Sequence, residues 1–306
     1  MKLIFNKAHA RLRGLLSPPI PYEVRNPLGD WSPYFGNYVG QKYGQWDTQT
    51  CWSFAGAEIC ETQLEYLWKH NLFSDETKKW FRNNGYIDGD GDFYLSRRWV
   101  AILSGVRDNG NEQKEFWRLA SVMGLIPFTM LPYSHEDAFD EFTRNDFNNE
   151  YFNPDVITSE MRALGKEFLK RVRIEFVEVG KRWNNKDPKL LLAELKQSPL
   201  QMGVTTKDTQ WNQEKVKWNW LYSADHSVEL YKYEENSDYP YYIYDSYEPH
   251  LKRLSADYYT PIVTKAVLTA IPQPISIPNE KKTIWVKVWE AVHAWFESLR
   301  IKSLAV

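Results

Sequence analysis

Two side chains close together near the start of the chain provide the first candidate chemistry. Cys51 follows Gln45 within one short segment, and Trp52 comes directly after the cysteine. A cysteine in the first turn of a helix has its thiolate stabilised by backbone N–H groups that lack helical partners. A nearby glutamine amide can donate a hydrogen bond to an oxyanion. One segment could therefore supply a nucleophile and part of an oxyanion hole.

A cysteine nucleophile needs a base that holds its thiolate and returns a proton to the leaving group. The candidates are the histidines of the chain: His9, His70, His135, His226, His250 and His293. We select His226, which opens a predicted strand after Asp225. The alternative is a structural histidine whose hydrogen bonds are all satisfied.

Three segments carry a resemblance to a known family. They are Gln45 to Trp52, Asp225-His226-Ser227-Val228 and Asp245-Ser246-Tyr247, and their order along the chain is also the family's order. Together they resemble the papain-like cysteine peptidases, over roughly residues 18–268. The resemblance implies an α+β, two-lobed fold. A central helix would start at the nucleophile in a helical lobe, and a cleft would separate it from an antiparallel, β-barrel-like lobe.

The resemblance also implies roles for single residues. Asp245 stands where the family has an asparagine that orients the histidine, and Tyr247 stands where it has a shielding tryptophan. A carboxylate can accept the ring N–H as an amide oxygen does, and its charge raises the histidine pKa. The Gln45 amide and the Cys51 backbone N–H would be the oxyanion donors. A strand-end aspartate in a turn remains the alternative for Asp245.

The family's substrate contacts map less firmly. The positions that correspond to them are Trp52, Asn109, Gly110, Asp225 and Tyr247. Thr48 and Gln49 replace a disulfide cysteine and a glycine of the family's nucleophile motif, and Gln49 could crowd the entrance of the cleft.

Composition excludes some classes of partner. The 306 residues contain 38 Lys+Arg against 40 Asp+Glu, so the chain is not a general polyanion binder and nucleic acid is not expected as a partner. The 14 Trp, 19 Tyr and 15 Phe fit a large core or an aromatic-lined cleft equally well. No cofactor is expected. The stretch Asp88 to Asp92 resembles a calcium loop but lacks its glycine and terminal glutamate, so an acidic turn without metal is expected.

The two cysteines indicate in which cellular compartment the protein folds. On one helix, Cys51 and Cys60 would lie about 13.5 Å apart along the axis, too far for a disulfide. A disulfide-free chain with no signal peptide and no long apolar run is expected in the cytoplasm, with release on lysis or incorporation into a virion still compatible. The segment before Pro18 is too short for the inhibitory propeptide of many relatives.

The elements expected to position these residues follow from periodicity. A helix is predicted from Cys51 to about His70, further helices near residues 95–103, 159–172 and 189–196, and strands at 199–204, 227–233, 241–244 and 262–268. We expect a helical lobe at about 45–133, an insertion at about 134–187 and a β lobe at about 188–268. Residues 1–17 would be a basic arm and 269–280 a proline-rich linker.

The end of the chain predicts an amphipathic helix over 281–306, with Trp285, Trp289 and Trp295 on its apolar face. It could pack on its own catalytic unit, associate with another copy or a larger assembly, or lie on a membrane surface. No segment is long and apolar enough to span a bilayer.

Three functions remain open at this stage. The first is a thiol peptidase acting on proteins or peptides, including cell-wall cross-links if the chain comes from a phage or bacterium. The second is a catalytically weak structural or interaction protein that docks through the terminal helix. The third is an amide transferase that uses the same triad.

Overall fold

The computed structural model describes residues 23–36, 42–43, 46–106, 110–132, 149–178, 188–207, 210–217, 224–258 and 263–272. The chain divides into two compact units, Met1–Ile271 and Pro272–Val306. The described helices and strands all belong to the first unit. The predicted basic arm at 1–17 and the terminal helix at 281–306 lie outside the described residues.

A long helix, α1 (Cys51–Lys69), forms the centre of the unit. All of its residues from Trp52 to Leu67 are buried, so it is covered on every side rather than on one stripe. It packs on helices on one side and on the sheet on the other. A Cβ added at Gly56 would come within 2.4 Å of the Phe116 ring, so this position requires glycine for the helices to approach.

The other helices begin and end at sequence signals. They are α2 (Asp75–Asn83), α3 (Arg97–Ser104), α4 (Gln113–Met123), α5 (Ser159–Leu169) and α6 (Pro188–Leu195). Ser74, Ser96 and Thr158 accept a hydrogen bond from a backbone N–H in the first turn of α2, α3 and α5. Gly105 ends α3 with φ 69°, the left-handed conformation that glycine adopts without strain.

A buried ion pair joins α1 to the start of α3. Glu61 accepts two bonds from the Arg97 guanidinium, each of 2.6 Å, and one of 2.6 Å from the Leu95 N–H. Burial raises the pKa of Glu61 to about 7 although Arg97 opposes that shift. Removing either partner would leave an uncompensated charge in the core.

The strands form two sheets. A two-stranded sheet pairs β1 (Lys42–Tyr43) with β2 (Trp46–Asp47). The larger sheet contains β3 (Val172–Glu178), β4 (Leu200–Val204), β5 (Lys215–Val216), β6 (His226–Tyr233), β7 (Tyr241–Tyr244), β8 (Leu251–Leu254) and β9 (Val263–Ala270). Its order is β3-β9-β4-β6-β7-β8-β5, antiparallel except for the parallel pair β5 and β8.

These elements confirm the predicted α+β class, with helices in the N-terminal part and a mostly antiparallel sheet. Three details differ from the sequence prediction. The helix expected to reach Val172 ends at Leu169, and Val172 begins β3, a strand in the segment taken as an insertion. The helices α2 and α4 and the strands β1, β2, β5 and β8 were not predicted. The last strand runs to Ala270, two residues into the predicted linker.

Candidate active site

Cys51 is the first residue of α1, and hydroxyl groups contact one another in and beside the loop that precedes it. The Thr48 and Thr50 hydroxyls lie 2.5 Å apart, and the Tyr151 hydroxyl lies 3.4 Å from that of Thr50. All three side chains are buried. Thr48 thus occupies, with a hydrogen bond, the place where the resemblance expected a disulfide cysteine.

His226 is the first residue of β6, and its imidazole contacts two candidate residues. Its Nε2 lies 2.7 Å from Asp245 Oδ1, and the Cys51 side chain is also its hydrogen-bond partner. Burial alone would lower the pKa of His226, but the Asp245 carboxylate and Cys51 outweigh burial and raise that pKa well above its ordinary value. Since Nε2 faces Asp245, Nδ1 is the ring nitrogen left for the sulfur.

Asp245 directly follows β7 and is fully buried. Its Oδ2 accepts two further bonds, 2.7 Å from Trp211 Nε1 and 2.8 Å from Lys252 Nζ. Burial would raise the pKa of Asp245, but His226 and Lys252 more than offset burial and lower it. The carboxylate therefore stays charged and keeps a fixed orientation toward the imidazole.

Two of these partners were not found from the sequence. Trp211 precedes β5 in a polar loop, and Lys252 lies in β8 between Leu251 and Arg253. Leu251 is 39% exposed while Lys252 is 1% exposed, the reverse of what their hydrophobicity predicts. The sequence around Lys252, from His250 to Leu254, is mixed polar and apolar and does not mark this lysine as buried.

Aromatic rings cover the imidazole. The Trp211 ring centroid lies 5.6 Å from that of His226 and the Tyr247 centroid lies 5.0 Å from it, both edge to face. Tyr247 therefore packs on the histidine from the position where the resemblance expected a tryptophan. The rings shield the bond between His226 and Asp245 from water.

A buried polar network joins the two halves of the site. Gln201 donates to the Trp52 carbonyl at 2.8 Å and to the Ser227 hydroxyl at 3.0 Å. Trp117 Nε1 donates to Gln201 Oε1 at 2.7 Å. The residue after Cys51 and the residue after His226 are thus bonded to one amide, which fixes α1 against β6.

The remaining candidates are placed as follows. Gln45 and Asn109 lie outside the described residues. The Trp52 side chain is 1% exposed and packs in the core. Gly110 lies beside the nucleophile loop, because a Cβ added to it would be 3.7 Å from the Gln49 carbonyl oxygen. Asp225 is exposed and accepts bonds of 2.7 and 3.0 Å from Thr206.

The acidic stretch forms a turn held by its own backbone. Asp88 accepts bonds from the N–H groups of Asp90, at 3.0 Å, and Asp92, at 2.9 Å. Within the described part of the chain, no group of three His, Cys, Asp or Glu residues has a geometry that could hold a metal ion. The helices of that same part include none with the length and hydropathy needed to cross a membrane.

The site combines a thiol at a helix start with an imidazole whose far nitrogen is fixed by a carboxylate. In this arrangement the imidazole can take the thiol proton, and the helix start favours the negative sulfur. Such a pair can attack a carbonyl carbon and transfer an acyl group.

Comparison with known proteins begins at the level of sequence, where no family model and no curated protein matches the chain. Solved structures do match. A structure from work on the mite allergens Blo t 1 and Der p 1 is 14% identical over 86% of this chain and 78% of that chain, with TM-score 0.52. The digestive procathepsin L 3 of Tenebrio molitor larval midgut is 14% identical over 81% and 73%, with TM-score 0.49.

The proform of the ragweed pollen cysteine protease Amb a 11 is 12% identical over 80% of this chain and 64% of its own length, with TM-score 0.48. The chain is structurally similar to papain-like cysteine proteases and has the papain-like α+β fold. At such identities the similarity establishes the fold alone.

Proposed function

We propose that this protein is a cysteine peptidase that hydrolyses peptide bonds through an acyl-enzyme. Cys51 attacks the substrate carbonyl as a thiolate, and His226 gives the proton it holds to the leaving amine. His226 then takes a proton from water, which hydrolyses the thioester and frees the sulfur. Asp245 orients His226 throughout.

One observation carries this proposal. The buried bond of 2.7 Å between His226 Nε2 and Asp245 Oδ1 leaves the opposite ring nitrogen, Nδ1, for Cys51 at the start of the central helix. A structural histidine has no need of a thiol on one nitrogen and a carboxylate on the other.

The oxyanion would be bound near the start of α1. The first N–H groups of a helix have no carbonyl partner within it, so the Cys51 N–H is suited to a developing negative oxygen. The Gln45 side chain is the proposed second donor. Loss of one such donor typically lowers the rate by about 10²- to 10³-fold.

The test compares three chains on an unselected peptide library. Wild type and Cys60→Ala should both cleave peptides, and Cys51→Ala should not. Cys60 is the matched control, since it is buried on the same helix and burial raises its pKa well above the ordinary range. Iodoacetamide should label Cys51 far faster than Cys60.

Equal cleavage by wild type and Cys51→Ala would overturn the proposal, as would slow and equal labelling of both thiols. Product analysis with an added amine separates hydrolysis from transfer. Free acid is the expected product, whereas conjugates would show an amide transferase.

A further inference from the structure

The Asp245 carboxylate, which orients the histidine, has three side-chain partners: His226, Lys252 and Trp211. We call Asp245 and these three partners the charged cradle. Asp245 binds His226 through one oxygen and the Lys252 ammonium and Trp211 indole N–H through the other. The Lys252 and Asp245 side chains are both 0% exposed. Burial keeps bulk water away from this pair, so each charge acts on its neighbours more strongly than an exposed charge would.

The Lys252 ammonium has two hydrogen-bond acceptors besides the Asp245 carboxylate. Its Nζ also donates to the carbonyls of Tyr247, at 2.6 Å, and Pro249, at 2.5 Å. The chain from Asp245 to Lys252 therefore wraps round the ammonium and satisfies it. Antiparallel pairing of β7 with β8 fixes the two ends of this turn, with Tyr244 opposite Leu251.

The charges explain why a lysine is needed at this position. Asp245 stands where a neutral amide would be enough to accept the ring N–H, and its negative charge raises the proton affinity of His226 unless a cation offsets that charge. Lys252 supplies that balance 2.8 Å away. The pair as a whole is neutral toward the imidazole, although the carboxylate is the nearer partner.

We propose that Lys252 is a positioning residue, which with Trp211 fixes the Asp245 carboxylate and balances its charge, so that the Cys51–His226 pair can exchange its proton. The catalytic part of this inference rests on the proposed peptidase function. The charge balance at His226 does not, and it can be measured without turnover.

Other ionisable groups also face this cluster. Cys51 and Glu58 face it from α1, and the Tyr258 hydroxyl faces Asp245 from the chain after β8. Burial raises the pKa of Glu58 and of Tyr258 well above the ordinary values, which favours the neutral form of each. Asp225 precedes His226 and is exposed. Within the described residues, the charged side chains that pair with one another at the imidazole are Asp245 and Lys252, and His250 Nδ1 contacts the Asp245 backbone oxygen at 2.8 Å.

The experiment is an NMR titration of the His226 ring in the full chain, assigned with His226→Gln. In Lys252→Met the uncompensated carboxylate should raise the His226 midpoint by about one pH unit or more. In the double variant Asp245→Asn/Lys252→Met the midpoint should fall to the wild-type value or below. In Asp245→Asn alone the remaining cation should lower it further.

A second readout uses turnover. The upper pH limit of kcat/KM should move in the same direction as the His226 midpoint in each variant. Trp211→Phe keeps an aromatic ring and removes the N–H donor, so it should lower kcat several-fold with little change in KM. If no variant or wild type turns over peptides, the peptidase proposal fails while the titration still decides the role of Lys252.

The matched control is Lys265→Met. Lys265 is also a nearly buried lysine, and its ionic partner is Glu194. It lies in β9, which pairs with β4 on the side opposite β6. Its loss should lower thermal stability without moving the His226 midpoint. An unchanged midpoint in Lys252→Met overturns the inference. If Lys252→Met does not fold, the test uses Asp245→Asn and the double variant. Equal His226 midpoints in those two variants would then overturn the inference.

Discussion

The two sides of the site hold their reacting groups by different means. On the helix side, Cys51 begins α1, and the loop before it is joined by the neutral hydroxyls of Thr48, Thr50 and Tyr151. On the sheet side, His226 is held by the buried charges of Asp245 and Lys252. Hydroxyls and backbone dipoles do not titrate near neutral pH, whereas the sheet side consists of ionisable groups.

This difference separates the effects expected from substitutions on each side. Changes on the helix side should alter rate and stability by a similar factor at every pH. Changes on the sheet side should alter the pH dependence itself, because each charge there sets the pKa of the next. The predictions below follow this division, from the largest expected effect to the smallest.

The largest effect is expected from Asp245→Ala. It leaves Lys252 as an unpaired buried cation and His226 without its orienting partner, since both bonds end on this carboxylate. We expect a loss of about 3–5 kcal/mol in the free energy of unfolding, typical of a broken buried pair. Peptide cleavage should fall by about 10³-fold or more. Urea unfolding and kcat measure the two effects.

Asp225→Ala is the control for that variant. Asp225 is the exposed neighbour of His226, and its carboxylate accepts two bonds from Thr206. Its removal should change the unfolding free energy by only about 1 kcal/mol. Similar losses in the two variants would show that the charged cradle does not hold the site.

A second effect concerns the buried face between α1 and β6. Burial raises the pKa of Glu229 to about 8 from 4.5, with a single weak bond from Thr62 at 3.3 Å on one oxygen. The folded protein therefore binds this proton more tightly than the unfolded chain does. The stabilisation is complete below about pH 4.5 and is lost as the pH rises toward 8.

Glu229→Gln should remove that dependence. We expect the variant and wild type to have similar unfolding free energies at low pH. The variant should be the more stable by about 2 kcal/mol or more near pH 8, because one pKa unit corresponds to about 1.4 kcal/mol. Urea unfolding across this range tests it. Glu235→Gln, at an exposed turn after β6, should show no such pH-dependent gain, and an equal gain in both would contradict the assignment.

The parts of this fold that the sequence predicted share local signals. The start of α1 at Cys51 and of β6 at His226 follow from periodicity and turn residues near those positions. The alternation of Val172, Ile174 and Phe176 was also a local signal, but the surrounding polar segment favoured an insertion, and β3 was missed. The alternating apolar residues of β3 were enough to predict the strand, but the polar composition of the residues around it led to the wrong prediction.

The charged cradle could not be predicted in the same way. Whether Lys252 points inward depends on the register of β8 against β7, and a shift of one residue would bury Leu251 instead. Hydrophobicity favours that wrong register. The energy that selects the observed register comes from Asp245, which stands where the family has a neutral asparagine that needs no cation.

A smaller effect should come from the helix side. Tyr151→Phe removes the hydroxyl that contacts Thr50, at a cost of about 1 kcal/mol in unfolding free energy and a few-fold in kcat. Burial raises the pKa of Tyr151 to about 12, so the group is neutral throughout the working range and the ratio to wild type should be constant with pH. Tyr242→Phe, a surface hydroxyl bonded to Glu234, is the control. A ratio that changed with pH would contradict the division between the two sides.

The smallest effect concerns Gln49, two residues before the nucleophile. Its φ is 52°, a left-handed conformation that costs a residue with a side chain about 1 kcal/mol and glycine almost nothing. The surrounding structure fixes this conformation, because Thr48 and Thr50 on either side are buried. Gln49→Gly should therefore raise the unfolding free energy by up to about 1 kcal/mol and leave the pH profile unchanged. Gln49→Ala retains the strain and should give no gain, so equal stability of the two variants would show that Gln49 is unstrained.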